Sequence, residues 1–132
     1  VVQEGETLEY HDVELVYGES PAEIALCVLS AINVGVIKDY KELEGVCDNV
    51  VRALDAIIDL QDYPMHAARK MLSRRSIGVG ITNLAYFLAK NDLTYDDPKA
   101  LPMIDELMEH IQYFLIKASG FLLHLSKYSC LT

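Results

Sequence analysis

Glu23-Ile24-Ala25-Leu26-Cys27-Val28-Leu29-Ser30-Ala31-Ile32-Asn33-Val34 is an almost unbroken apolar run, rich in branched side chains and closed by Gly35. Such a run predicts a β-strand covered on both faces, with a short buried helix as the alternative that periodicity leaves open. From Lys41 to Gln61 the period changes. Leu43, Val46, Cys47, Val50, Val51, Leu54, Ile57 and Ile58 recur at three- and four-residue spacing, which predicts one buried face of a helix. Asp48 and Arg52 fall four apart on the opposite side, placed for a solvated ion pair, and Pro64 stops the run. Met65-His66-Ala67-Ala68-Arg69-Lys70-Met71-Leu72 has the propensity for a second short helix over 65–73.

The pattern then repeats in kind. Ser76-Ile77-Gly78-Val79-Gly80 predicts a short strand running into a turn at its glycines, and Ile81 to Asn91 returns to helical spacing through Leu84, Ala85, Phe87 and Leu88. Asp96-Asp97-Pro98 marks a turn. Pro102, at a first-turn position, opens a long helix through Ile104, Leu107, Met108, Ile111, Phe114, Leu115, Ala118, Leu122 and Leu125. Ser119-Gly120 interrupts that helix, and close packing against a neighbour is the expected reason for a glycine there. The fold class is therefore α/β and predominantly helical, with two or three short strands and three to four helices. Residues 1–21 are acidic and irregular around Gly5, Gly18 and Pro21, and predict a loop with room for one short edge strand.

A chain of 132 residues with 52% apolar side chains buries one core and has no room for a second domain. Twenty acidic against eleven basic side chains give a formal charge of -9, which disfavours nucleic-acid phosphates and anionic membranes. Three cysteines leave one unpaired in any disulfide scheme, and no apolar leader or membrane-length apolar stretch occurs. A soluble, cytoplasmic chain with free thiols is expected. The opening Val1-Val2 and the ending Cys130-Leu131-Thr132 fit a piece of something larger.

Local motifs carry little chemistry by themselves. Gly78-Val79-Gly80 before a helix is similar to a dinucleotide-binding turn, and Arg74 and Arg75 stand just upstream, but position 83 is Asn instead of the third glycine. A tight turn that brings backbone against backbone is the plainer reading. His11, His66, His110 and His124 lack metal-ligand spacing and are assigned to surfaces, so no metal site is expected. The carboxylates are spread singly over helix faces, where solvation explains them. Cys47 sits on the helix core stripe as a small buried hydrophobe; Cys130 fits either a core or a chemical role; Cys27, in isolation, reads as a core thiol of an apolar strand.

The order of segments says more. The blocks Ala22 to Gly35, Val51-Arg52-Ala53-Leu54-Asp55-Ala56-Ile57-Ile58-Asp59, Gln61-Asp62-Tyr63-Pro64, Arg74-Arg75-Ser76-Ile77-Gly78-Val79-Gly80-Ile81-Thr82-Asn83-Leu84-Ala85-Tyr86-Phe87-Leu88-Ala89-Lys90, and Ile111-Gln112-Tyr113-Phe114-Leu115-Ile116-Lys117-Ala118-Ser119 occur in succession. Together they closely resemble consecutive parts of the large, catalytic subunit of class I ribonucleotide reductase, over residues 22–119. The resemblance implies a single segment, residues 1–132, of that subunit's ten-stranded α/β barrel: 1–21 a variable loop, 22–132 barrel strands and packing helices. It also implies a chemistry in which a cysteine radical removes the ribose 3′-hydrogen, a pair of thiols reduces the 2′ position, and C-terminal cysteines recycle the disulfide. By position, Cys27 is one of the reducing pair, and the glycine turn is barrel architecture with no nucleotide role.

The radical cysteine, the second reducing cysteine, the substrate-phosphate loop, the allosteric domain, the relay tyrosines and the C-terminal thiols have no counterpart here, so the chain alone is expected to be inactive. No cofactor site is expected in the segment. The whole enzyme would need a small radical-generating subunit, a thioredoxin or glutaredoxin reductant, a ribonucleoside diphosphate and the remainder of the large subunit. A non-enzymatic helical interaction module, surviving by self-association, is the alternative; nucleotide binding at Arg74, Arg75 and the glycines is a third reading.

Overall fold

A computed structural model of the chain describes residues 24–129. Strand β1 (Val28–Asn33) is followed by a 3-10 turn at Val34–Val36, helix α1 (Glu42–Leu60), the short helices α2 (His66–Arg69) and α3 (Met71–Arg74), strand β2 (Ile77–Thr82), and helices α4 (Leu84–Lys90) and α5 (Ala100–Ser129). The loop or edge strand expected over 1–21, with His11, and Cys130 lie outside the described residues, as do the side chains of His66, His124 and Leu125.

The two strands pair in parallel, from Val28 opposite Ile77 to Asn33 opposite Thr82. A parallel pair needs a long crossover, and α1 with α2 and α3 supplies it. The architecture is thus α/β and mostly helical, as the alternating periods predict. It has two strands among the described residues, and five helical segments where three to four were expected. The extra one arises because 65–73 divides at Lys70, whose carbonyl accepts the N–H groups of Ser73 and Arg74 and, at 2.8 Å, the Ser73 hydroxyl.

Helix α1 follows its periodicity closely. Leu43, Cys47, Val51, Leu54 and Ile58 are buried, and Glu42 and Glu44 occupy the first turn, where acidic groups complement the helix dipole. Ile57, expected on the buried face, is 43% exposed instead, since a stripe this broad wraps beyond what α5 and the sheet cover. Asp48 and Arg52 form the anticipated ion pair at 2.7 Å. The helix closes at Gln61, whose N–H donates to Ile57 O, while the Tyr63 hydroxyl donates to Ile58 O at 2.9 Å, so terminal carbonyls are satisfied before Pro64 is reached.

Three expectations need correction. First, β1 starts at Val28, later than the apolar run does, and only one of its faces is covered: Ile32 is buried against the helices while Leu29 is 74% exposed. Val28, Ser30, Ile32, Ile77, Val79 and Ile81 on one side are buried or half-buried, whereas Leu29, Ala31, Asn33, Gly80 and Thr82 are exposed, so the other side is largely bare among the described residues. Second, Gly78 and Gly80 lie inside β2, with no turn between them. The turn comes at Asn83, held at a left-handed φ of 66°, which Asn tolerates better than most side chains, and its Nδ2 donates to Asn33 Oδ1 at 3.1 Å. Third, α5 runs unbroken through Ser119 and Gly120. Gly120 is exposed and a Cβ there would meet nothing within 4 Å among the described residues, so close packing between them does not explain it. Gly120→Ala is therefore expected to stabilise the chain by about 0.5–1 kcal/mol, the helix-propensity difference alone, read as a raised urea midpoint at constant slope.

The core lies between the inner sheet face, α1, α4 and α5. Ile32, Val34, Ile37, Leu43, Cys47, Phe87, Leu88, Ala100, Leu107 and Ile111 form one buried cluster. Lys90 ties α4 to the turn after β1 by donating to Gly35 O at 3.0 Å and Ile37 O at 3.3 Å. Lys117 reaches from α5 to Glu44 of α1 at 2.5 Å, an exposed pair that solvent screens.

Candidate functional site

In a parallel ladder, residues directly opposite one another project to the same side of the sheet. Leu29, Ala31 and Asn33 of β1 therefore share the bare face with Gly78, Gly80 and Thr82 of β2. Cys27 belongs to the same face, one alternation before Leu29: its Sγ lies 3.4 Å from where a Cβ of residue 78 would stand. The result is an open surface of mostly small side chains, with one thiol at the end where the strands begin.

Cys27 is exposed, and among the described residues its Sγ makes a weak contact, 3.8 Å to Val28 O. The sequence places this thiol in an apolar strand; the structure puts it just before the ladder, on an open face. An exposed thiol on such a face can reach another sulfur or a substrate by thiol–disulfide exchange. Cys47 cannot do the same. It is wholly buried between α1 and α5, 3.9 Å from Ile111 O, and burial pushes its thiol pKa up, which lowers its thiolate fraction. The core reading of Cys47 stands, and both thiols are free.

Arg75 has a different task from the one its neighbourhood to the glycines suggested. Its Nε donates to Asp55 Oδ1 at 2.6 Å, its Nη1 and Nη2 donate to the two carboxylate oxygens of Asp59 at 2.8 and 3.0 Å, and Nη2 also reaches Asp55 O at 2.9 Å. Every guanidinium nitrogen is engaged, so this arginine clamps α1 to the end of α3 and is not held open for a phosphate. With the glycines inside a strand, the nucleotide-binding reading loses two of its three supports, Arg75 and the glycine turn. The hydrogen bond from Arg75 holds the Asp59 carboxyl below its ordinary pKa. A carboxyl depressed in the folded state contributes stability above its unfolded pKa, and that contribution fades as pH falls through the lowered folded value. Urea midpoints of the native chain and of Asp59→Asn are accordingly expected to differ at neutral pH and to converge only below the ordinary carboxylate pKa.

His110 also departs from expectation. It is half-buried, its ring 4.6 Å from Tyr40 and 6.4 Å from Phe114, with Nδ1 2.8 Å from Glu106 O. That is an aromatic packing role in a polar-edged cluster, where a surface position was predicted. Burial, reinforced by Glu106, raises the Tyr40 pKa. No group of histidine, cysteine and acidic residues suited to a metal occurs among the described residues, and no described helix is long and apolar enough to cross a membrane.

What sequence reasoning missed is Gly78 as the neighbour of Cys27. Glycines two apart in a strand share a face, and that signal was present in Gly78-Val79-Gly80, but which strand they faced depends on a register no local pattern prints.

Comparison with known proteins gives the wider setting. Residues 12–124 match the sequence profile of a family described as the ribonucleotide reductase barrel domain. The chain is 53% identical over 98 residues to the ribonucleoside-diphosphate reductase subunit alpha of Haemophilus influenzae, which covers 74% of this chain and 13% of that protein. The subunit alpha of Buchnera aphidicola subsp. Schizaphis graminum is 49% identical over 98 residues, with the same coverage, and that of Helicobacter pylori 35% identical over 99 residues, again covering 74% and 13%. The chain therefore spans roughly an eighth of the length of the curated relatives it matches.

Proposed function

Since the chain belongs to the ribonucleotide reductase barrel-domain family, we propose that it supplies one cysteine, Cys27, of the dithiol that reduces a ribonucleoside diphosphate, as a segment of a ribonucleotide reductase large subunit. Two thiols give up two electrons and two protons as their sulfurs join; the 2′-hydroxyl leaves as water and the carbon it leaves gains a hydrogen. A single cysteine cannot carry this step. The mate of Cys27, the radical cysteine that activates the 3′ position and the thiols that recycle the disulfide belong to other parts of the subunit. A small radical-generating subunit and a thioredoxin or glutaredoxin complete the cytoplasmic system, and the segment alone is inactive.

The observation that carries this reading is the placing of Cys27: an exposed thiol at the start of a barrel-family strand, on the bare side of the sheet, beside a glycine. The ten-stranded α/β barrel belongs to the same proposal, its further strands covering the face that carries Leu29. The test is to join the segment to the rest of its reading frame. A cysteine followed two residues later by glutamate is expected just ahead of Val1, and the complete subunit with its small subunit and a dithiol reductant is expected to form deoxyribonucleotide. An unrelated upstream sequence, or a complete protein with no such turnover, would refute it.

A second reading has one observation in its favour. Leu29, Leu101, Tyr113, Ile116, Phe121 and Leu123 are each more than half exposed, a load of apolar surface that drives association. In this reading the chain acts as a non-enzymatic module that pairs with itself, and it requires Cys27 to be dispensable.

A further inference from the structure

A hydrogen stands at position 78 where almost any other residue would put a carbon. A Cβ built there falls 2.7 Å from Leu29 Cδ2 and 3.4 Å from Cys27 Sγ. The first distance is shorter than real carbon contacts allow; the second is at the tight edge of ordinary packing. Leu29 thus lies across the space that a side chain at 78 would fill, and Cys27 borders the same space from the strand's beginning. Gly78 takes an ordinary strand conformation in β2, with no left-handed φ to demand a glycine, so backbone freedom does not account for it. The clearance does.

We infer that Gly78 is a positioning residue for Cys27: its missing side chain leaves the clearance in which Leu29 folds flat and the Cys27 thiol stands free for attack. The inference rests on the reading of Cys27 as a reducing thiol for its biological meaning, but the clearance is a property of the chain itself. With a methyl at 78, the tip of Leu29 has to leave its seat, and the inference requires that it turn toward Cys27, the other side chain that borders the space. Valine adds two more carbons to a space whose edge is already 3.4 Å from the sulfur. Leu29 is 74% exposed and the crowded atom is the far end of its flexible side chain, so it moves at small cost and the fold is expected to survive the change.

The experiment measures modification of Cys27 in the intact native chain by peptide mass spectrometry, with small iodoacetamide, which alkylates it, and a bulky aromatic disulfide, which forms a mixed disulfide and releases an aryl thiolate, and with buried Cys47 as internal reference. With the bulky reagent, Gly78→Ala is expected to slow Cys27 about threefold and Gly78→Val about tenfold, with a smaller change for iodoacetamide and none for Cys47. Adding Leu29→Ala to Gly78→Ala is expected to restore the rate, a rescue that a merely structural lesion would not give. Equal Cys27 rates in the native chain and Gly78→Ala, or slowing by both reagents alike without rescue, would overturn the inference. If the valine variant fails to fold, the alanine pair decides. Loss or retention of turnover on changing Cys27 itself bears on the broader reading alone, so each can fail without the other.

Discussion

Cys27→Ser is expected to reduce deoxyribonucleotide formation by the complete subunit at least about a thousandfold, the scale reached when one member of a catalytic set that works as a unit is lost. Serine keeps the size and the single rotatable bond of cysteine. It removes the one property the step needs, since an alcohol oxygen neither ionises near neutral pH nor forms a disulfide with the partner thiol. Cys27 is exposed and, among the described residues, its hydrogen-bonding contact is a weak one to its neighbour's carbonyl, so the folded state should be unmoved within about 0.5 kcal/mol. Cys47→Ser makes the complementary control. It places a hydroxyl in the α1–α5 core at a cost of about 1–3 kcal/mol, yet it leaves turnover per folded molecule intact. Deoxyribonucleotide assay and urea denaturation on both variants separate the two roles. Full turnover by Cys27→Ser would remove this cysteine from the reducing pair and favour the self-associating module.

The parts of the fold visible in the sequence were those fixed by local periodicity. The α1 stripe from Leu43 to Ile58 has one solution as a helix, and the structure places it within a residue of the predicted ends. The long helix through Leu107 and Ile111 was legible for the same reason. What escaped were features set by contacts between distant segments. Gly78 and Gly80 looked like a turn because glycine pairs usually are one, and only their parallel pairing with Leu29 and Ala31 shows them to be the smooth side of a strand. Asn83 took over the turn through a hydrogen bond to Asn33, fifty residues earlier, which no window along the chain reveals. Arg75 was offered to a phosphate because its two carboxylate partners stand sixteen and twenty residues upstream on α1. The candidate site was likewise half legible. Block order singled out Cys27, whereas its exposure and the clearance at Gly78 depend on the register of two strands separated by the whole crossover.

Leu107→Ala is expected to cost the chain about 2–5 kcal/mol, the largest stability effect anticipated here. Leu107 is fully buried on α5 within the cluster that holds Leu43, Cys47 and Ile111, and α1 is the helix against which α5 principally packs. Truncation leaves a cavity between two long, stiff helices that cannot close over it without losing the Ile111 contact as well. A fold whose total stability is on the order of 5–15 kcal/mol would keep little margin after such a loss. Ile116, nine residues further along the same helix, supplies the contrast. It is 61% exposed, so Ile116→Ala should change the stability of the chain by itself within about 0.5 kcal/mol. If the rest of a large subunit covers that side of α5, the same substitution in the complete subunit should cost about 1–3 kcal/mol, the transfer energy of a side chain newly buried. Parallel denaturation of both variants in the two settings therefore reads the missing layer directly. A cost at Ile116 that stays negligible in the complete subunit would mean that no barrel wall packs there, and the exposed apolar face would have to be explained by a second copy of the chain.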